Sequence, residues 1–244
     1  IIVDYLVLFI LLALLAEILG TVGGFGSSLF FVPIASFFLD FHSVLGITAV
    51  FHVSSNLTKI AFFRKGFDKK LATYVGIPAI LFVIIGAYFS NVFNTFILEI
   101  VLAFFLIITS IVLYLYSHKS IKPTVKNSIF GGIFSGLIAG LIGTGGAIRG
   151  ITLASFGLSI ETFIATSAFI DLGVDLSRSI VYFSNGYIHS HDLYLIPWLL
   201  GCSVIGTFIG KKILEKISEE KFKSIVLLLI FITGIITLVK ITGY

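Results

Sequence analysis

Charge is scarce in this sequence. Only 11% of its 244 residues are Asp, Glu, Lys or Arg, where soluble domains carry about 25%. With 58% hydrophobic residues and a mean hydropathy of +1.15, a soluble fold is excluded. Cysteine occurs once, at Cys202, which rules out an intrachain disulfide and any cysteine-based metal cluster. As a small residue packed in a helix it needs no other role. Methionine is absent and the sequence opens on Ile1, so we expect the native N-terminus to lie upstream. No cleavable signal pattern is recognisable, and no polar stretch is long enough for a separate domain. No window alternates with the period of two that marks an outer-membrane barrel. Nucleotide loops are missing too. The run Gly24-Phe25-Gly26-Ser27-Ser28-Leu29 lacks the final glycine of the dinucleotide fingerprint and follows no strand, and nothing resembles a Walker A motif. The net charge of +4 sits in loops, so it reports membrane topology and not a nucleic-acid partner.

What the sequence does have is long apolar runs. A bilayer core of roughly 30 Å takes about 20 helical residues per span, and the runs reach that length. The fold class is therefore an all-α polytopic membrane protein. Apolar runs and breakers place helices at 4–19, 27–39, 44–63, 71–91 and 95–116, then at 126–141, 147–156, 160–183, 192–214 and 220–242.

The chain also repeats itself. Gly20-Thr21-Val22-Gly23-Gly24-Phe25-Gly26 recurs as Gly140-Leu141-Ile142-Gly143-Thr144-Gly145-Gly146, 120 positions later. At a shift of 119, Asn56 falls on Asp175, Lys59 on Arg178 and Pro78 on Pro197. This divides one membrane domain into repeat 1 (1–118), a connector (119–125) and repeat 2 (126–244), each of five segments around a shared centre. Loop charges orient the halves. Arg64, Lys65, Lys69 and Lys70 follow the third segment, and 90–94 hold no Lys or Arg. In the second half 184–192 hold none, while Lys211, Lys212, Lys216, Lys221 and Lys223 flank the next turn. The connector, with Lys119, Lys122 and Lys126, is basic as well. Basic loops stay cytoplasmic, so equivalent loops face opposite sides. Each half then crosses an odd number of times, and the repeats are antiparallel.

The glycine motifs are too dense for unbroken helix, because an interior glycine costs about 1 kcal/mol relative to alanine. Unwound backbone at membrane depth survives only inside protein or along a cavity. The segments that follow cover only about 15–20 Å at 1.5 Å per residue. They are either half-helices in re-entrant hairpins or tilted helices completed by flanking turns. Their N-termini, at Ser27-Ser28 and at Ala147-Ile148-Arg149, offer free N–H groups and the positive dipole end, which suits an anion. Gly23, Gly24, Gly26, Ser27, Ser28, Thr144, Gly145 and Gly146 are accordingly the candidates for a substrate loop. Gly132 and Gly136, in a small-xxx-small series with Gly140, read instead as a helix-packing face.

Thr48, His52, Asn56 and Lys59 share one face of the third segment, and Ser167, Asp171, Asp175 and Arg178 repeat their spacing. Ionisable groups at the bilayer centre cost about 2.5–3.5 kcal/mol or more, so they face partners or a watery cavity. His52 and Asn56 are candidates for binding. Asp171, Asp175, Lys59 and Arg178 are candidates for ion coupling or the substrate path. The structural alternative is snorkelling, or pairing of Arg178 with Asp171 or Asp175. Arg149, matched by Leu29 in the first half, carries a planar guanidinium suited to oxyanions; pairing with Asp171 or Asp175 is its structural alternative. Glu17, one turn before the first motif, fits either local packing or coupling. His189 and His191 read as solvated loop residues. With no further convergent His or Cys, we expect no metal site and no cofactor. No catalytic residue is expected either. Ser27 and Ser28 sit in no Gly-x-Ser-x-Gly elbow, and Asp171 and Asp175 lie one turn apart on one helix.

The segments 20–33 and 140–153, each leading through a short helix to a Thr- or Ser-bearing helix, resemble the TauE/SafE family of sulfite and sulfonate exporters over essentially the whole chain. The sequence departs from the usual pattern at Phe25, at Thr144, and at Leu153 where the first copy has Pro33. The resemblance implies a secondary carrier of the prokaryotic inner membrane for small sulfur-containing anions such as sulfite, sulfonates or thiosulfate. The expected mechanism is alternating access around glycine loops that meet near the midplane. Arg149 would bind the anion, Lys59 and Arg178 would line the path, and Asp171 and Asp175 would couple transport to H+ or Na+. A passive anion channel of the same fold, and a carrier of non-sulfur carboxylates, are the alternatives. The sequence does not define an oligomeric state.

Overall fold

The structure, a computed structural model, describes residues 2–63, 66–115, 122–216 and 219–243, without the side chains of 2–4 and 219–226. Arg64, Lys65, Lys119 and the side chains of Lys221 and Lys223 therefore lie outside the described residues. Among the described residues the chain is helical and contains no strand. The first half holds α1 (Ile2–Gly23), α2 (Ser28–Ala35), α3 (Phe41–Phe62), α4 (Lys69–Ser90) and α5 (Thr95–Leu115). The second holds α6 (Val125–Ile142), α7 (Gly146–Ala154), α8 (Ile160–Ser184), α9 (Leu195–Leu214) and α10 (Glu219–Thr242). A 3-10 turn, Ser190–Asp192, precedes α9 and displaces its start from the expected 192.

Side-chain caps fix several helix starts, because the first N–H groups of a helix have no partner within it. Asp40 accepts from His42 N and Ser43 N to open α3. Asp68 caps α4, Thr124 caps α6 and Ser159 caps α8 in the same way. Gly143, at φ 79°, ends α6, and Gly24 and Gly26, at φ 69° and 85°, turn the chain between α1 and α2. Left-handed backbone of this kind is where glycine replaces other residues at no steric cost.

Among the described residues six helices, α1, α3, α4, α5, α6 and α9, are long and apolar enough to cross a membrane. α8 has 25 residues but carries Glu161, Asp171, Asp175 and Arg178. α2 and α7, of 8 and 9 residues, extend only about 12–14 Å. They are half-helices. Phe31 and Phe38 meet the Phe9 ring edge-on at 5.9 and 5.3 Å, so α2 folds back along α1. α7 packs along α6 in the same manner. Each pair is a hairpin joined by its glycine motif.

The surface is inside out by soluble standards. Leu8, Leu11 and Leu15 of α1 and Ile77, Leu81 and Ile84 of α4 are exposed, while Glu17, Lys59, Arg149, Asp175 and Arg178 are buried. That distribution belongs to a lipid-facing exterior and a polar centre.

α4 packs on α6 and α8, α9 packs on α1 and α3, α5 packs on α10, and α3 packs on α8. Renumbering α1–α5 as α6–α10 exchanges these pairings among themselves. The α4–α6 seam is glycine-built. A Cβ at Gly132, Gly136 or Gly140 would collide with the carbonyls of Val75, Ala79 or Val83, so the packing face expected from the sequence is present. α3 and α8 run antiparallel. Asp68, just after α3, donates its N–H to Thr166 near the start of α8 (3.0 Å). His189, just after α8, meets Ser43 at the start of α3 (2.7 Å).

Candidate functional site

Both glycine loops and both polar helix faces converge on one buried cavity. Gly26, Ser27 and Ser28 line it from the first hairpin, and Gly143, Gly145, Gly146 and Arg149 from the second. His52, Ser55, Asn56 and Lys59 reach it from α3, and Asp171, Asp175 and Arg178 from α8. A second cavity shares Gly26, Asn56, Lys59 and Asp171, and is closed by Gly24, Thr21 and Ser167. Each leaves about 20 Å³ for the centres of water molecules, room for an ordered water and far less than a sulfur oxyanion requires. The two loops touch: a Cβ on Gly146 would strike the Phe25 carbonyl. The starts of α2 and α7 therefore point their unpaired N–H groups into one region.

Three cations and three carboxylates balance at this centre. Lys59 Nζ lies 2.8 Å from Glu17 Oε1, Arg178 Nη2 lies 2.7 Å from Asp175 Oδ1, and Arg149 Nη2 pairs with Asp171 Oδ2. Buried ions need such pairing, since desolvation costs several kcal/mol per ion. The pairs are not equivalent. Arg178 is committed to structure: Nε donates to Asp175 (2.7 Å) and Nη1 to the carbonyls of Ala139 (3.3 Å) and Gly143 (2.8 Å), clamping the open end of α6. Arg149 donates from Nε to Ser167 (3.2 Å) and from Nη2 to Asp171, which leaves N–H groups of its five-donor fork for another acceptor. Its carboxylate is also the most open of the three, with the Asp171 side chain 15% exposed against 0% for Glu17 and 4% for Asp175.

Asn56 Nδ2 donates to Asp175 Oδ2 (2.7 Å). The two residues correspond at the shift of 119 in the sequence and meet here across the α3–α8 contact. Glu17 is the hub that sequence reasoning left undecided. It accepts from Ser27 (2.6 Å), Ser55 (2.6 Å), Thr207 (2.9 Å) and Thr21 (3.2 Å) as well as from Lys59. Ser55 and Thr207 were missed, although the pairing of an acidic residue in α1 with a basic one in α3 was the available signal. Two loop candidates stand apart. Gly23 and Thr144 do not line either cavity, and Thr144 Oγ1 is buried without a hydrogen-bond partner.

Away from the centre, His189, His191 and Asp192 place ligand-type atoms within 4.8 Å of one another. The side chains of His189 and His191 are 40% and 73% exposed, while Asp192 is buried beneath them.

A membrane-embedded helical bundle whose half-helices and charged residues close on a polar centre defines the class of a multi-pass membrane transporter. Within that class the family is shown directly: the chain matches the family model described as sulfite exporter TauE/SafE over residues 9–237, and it belongs to that family. No curated protein and no solved structure was found to match it.

Proposed function

We propose that the protein is a secondary transporter that moves a small sulfur-containing oxyanion, of the sulfite, sulfonate or thiosulfate class, across the prokaryotic inner membrane by ion-coupled alternating access. The observation that carries this reading is Arg149. It is a buried guanidinium at the start of one half-helix, beside the start of the other, with donors to spare and the most open carboxylate as partner. An oxyanion can accept from the N–H groups of that fork that Ser167 and Asp171 leave free, and the two helix N-termini supply further N–H groups. Gly26, Ser27, Ser28, Gly145 and Gly146 form the remainder of the site, with His52 and Asn56 on its α3 wall.

The halves 1–118 and 126–244 act as inverted repeats, with the 119–125 connector cytoplasmic. The antiparallel course of α3 and α8 and the Asn56–Asp175 bond support this. Because the cavities hold little more than water, substrate entry requires α3 and α8 to separate on one side at a time. The coupling ion is H+ or Na+. Lys59 and Arg178 hold the two ends of the site in shape through Glu17 and Asp175.

The test is counterflow of labelled sulfite into proteoliposomes. Wild-type protein should show saturable, trans-stimulated uptake, and Arg149→Ala should reduce it at least about tenfold, the loss of one charge-assisted contact. Uptake that is unsaturable and indifferent to internal sulfite would point to a channel and end the carrier reading.

A further inference from the structure

We infer that His52 is the proton site of the transport cycle, taking up a proton at Nδ1 when an anion enters the cavity; the inference rests on the anion-transport reading above.

The argument begins at Glu17. Lys59 and four hydroxyls converge on its carboxylate, and an acceptor surrounded by that many donors is ionised. Ser27 lies between it and His52, with Oγ 2.6 Å from Glu17 Oε2 and 3.1 Å from His52 Nε2. A serine hydroxyl has one hydrogen, and an ionised carboxylate has none to give. Ser27 therefore donates to Glu17, and His52 Nε2 must carry hydrogen and donate to Ser27. In neutral His52 the proton is then fixed on Nε2 and Nδ1 is a bare lone pair. Among the described residues the ring is hydrogen-bonded to Ser27, through Nε2, and it borders the cavity.

A bare lone pair repels an anion, and a protonated Nδ1 attracts one. The charge count says when the change occurs. The groups around the ring are Glu17 behind Ser27 on α1, Lys59 on α3, Arg149 on α7, and Asp171, Asp175 and Arg178 on α8. They sum to zero in three ion pairs. A proton on His52 alone would leave an unpaired buried cation, and an anion alone an unpaired buried anion. Each is costly, and together they cancel. The charge count alone would admit a proton on Asp171 or Asp175 equally; they suit the role less well because each already accepts a hydrogen bond from a guanidinium that a proton would weaken.

The experiment is calorimetric titration of the purified, detergent-solubilised protein with methanesulfonate, and with thiosulfate, in two buffers of different ionisation enthalpy. Neither anion brings a proton at neutral pH, so the buffer dependence of the heat counts protons taken up by the protein. The expected result is about one proton per anion for wild type, falling to near zero in His52→Gln, which keeps a donor for Ser27 but cannot be protonated. Binding without proton uptake in wild type, or an unchanged proton number in His52→Gln, would overturn the assignment and leave the transport reading intact. Absence of binding by sulfite, methanesulfonate and thiosulfate alike would overturn the anion reading, and this inference with it. Should His52→Gln fail to fold, wild-type affinity still decides the matter. It should weaken about tenfold per pH unit above the His52 titration, and a flat profile refutes the proposal.

Discussion

Replacing Glu17 by glutamine exchanges one oxygen for an amide nitrogen at a site that is 0% exposed. The consequences follow from its partners. Lys59, itself 6% exposed, loses its counter-charge and keeps the Ser55 hydroxyl at 2.6 Å. The glutamine oxygen can still accept, but its NH2 now faces hydroxyls that were donating. Removing one partner of a buried ion pair costs about 3–5 kcal/mol. Ser55 still solvates Lys59, so the lower end applies, about 3 kcal/mol, or roughly a hundredfold in the population of opened molecules.

Cys202 provides the assay. It is the only cysteine, 5% exposed, and sits against Ile10 O of α1 at 3.5 Å, in the same α1–α9 seam that Thr207 ties to Glu17. The rate at which a thiol-reactive fluorophore labels it at fixed temperature reports opening of that seam. Glu17→Gln should label about a hundredfold faster than wild type. Lys59→Met should also be faster, and the double variant slower than the product of the single effects predicts, with a coupling of at least about 1.5 kcal/mol. A Glu17→Gln protein that labels at the wild-type rate, or strictly multiplicative effects, would show that the pair is not a unit and refute the reasoning.

Gly136→Leu drives a side chain into the Ala79 carbonyl at the α4–α6 crossing. It should lower stability by more than about 2 kcal/mol, since the backbones must move apart, measured by unfolding of the purified protein in denaturant. Asp40→Ala removes the cap that accepts from His42 N and Ser43 N and should cost about 1 kcal/mol. Burial disfavours the charged Asp40 carboxyl, yet the bonds from Ser43 prevail and hold its pKa below 3.8. The cap's contribution is therefore complete at neutral pH and fades as pH falls through that lowered value. Asp40→Ala and wild type should converge in strong acid.

The helices were legible because lipid enforces long apolar runs and the glycine motifs interrupt them. α1 continues to Gly23, four residues past the expected end, because Thr21-Val22-Gly23 tolerate helix until Gly24 turns the chain at φ 69°. α2 stops at Ala35 where 39 was expected, and Phe38 and Leu39 close on the Ala35 carbonyl as a turn. In the site, the register of 119 brought out Asn56, Lys59, Asp175 and Arg178, all of which reach the cavity. Motif membership did not say which side of a loop faces inward, and Thr144 lies behind it. Glu17 stayed ambiguous for a different reason. Its partners Ser55 and Thr207 are ordinary hydroxyls, and one of them lies 190 positions away. Apolar periodicity carries no trace of such a contact. Pairing of Arg178 with Asp175 and of Arg149 with Asp171, anticipated as structural alternatives, is present. For Arg178 the clamp on α6 makes that role sufficient.

The packing also decides what can move if the two halves alternate. A boundary at the connector would place α4 and α6 on opposite bodies, and likewise α1 and α9. Those are tightly interlocked contacts. Glycines of α6 sit against α4 carbonyls, and Gly206 and Gly210 of α9 leave no room for a Cβ beside Glu17 and Thr21 of α1. Sliding such seams would expose backbone and unpair Glu17 from Thr207. The α3–α8 contact is different in kind. It is polar, lined by the cavities, and held by the Asn56–Asp175 bond at its centre. Rocking should therefore divide the molecule into α1–α2–α3–α9 and α4–α6–α7–α8, with each repeat lending one helix to the other's body. On that division Lys59–Glu17, Arg178–Asp175 and Arg149–Asp171 all stay intact within a body as it moves. What opens is the Asn56–Asp175 bond, together with the approach of His52 and Arg149 across the cavity. On that division the charge pairs would be the fixed frame, and in the proposed cycle the anion with its proton would close or release the gap between them.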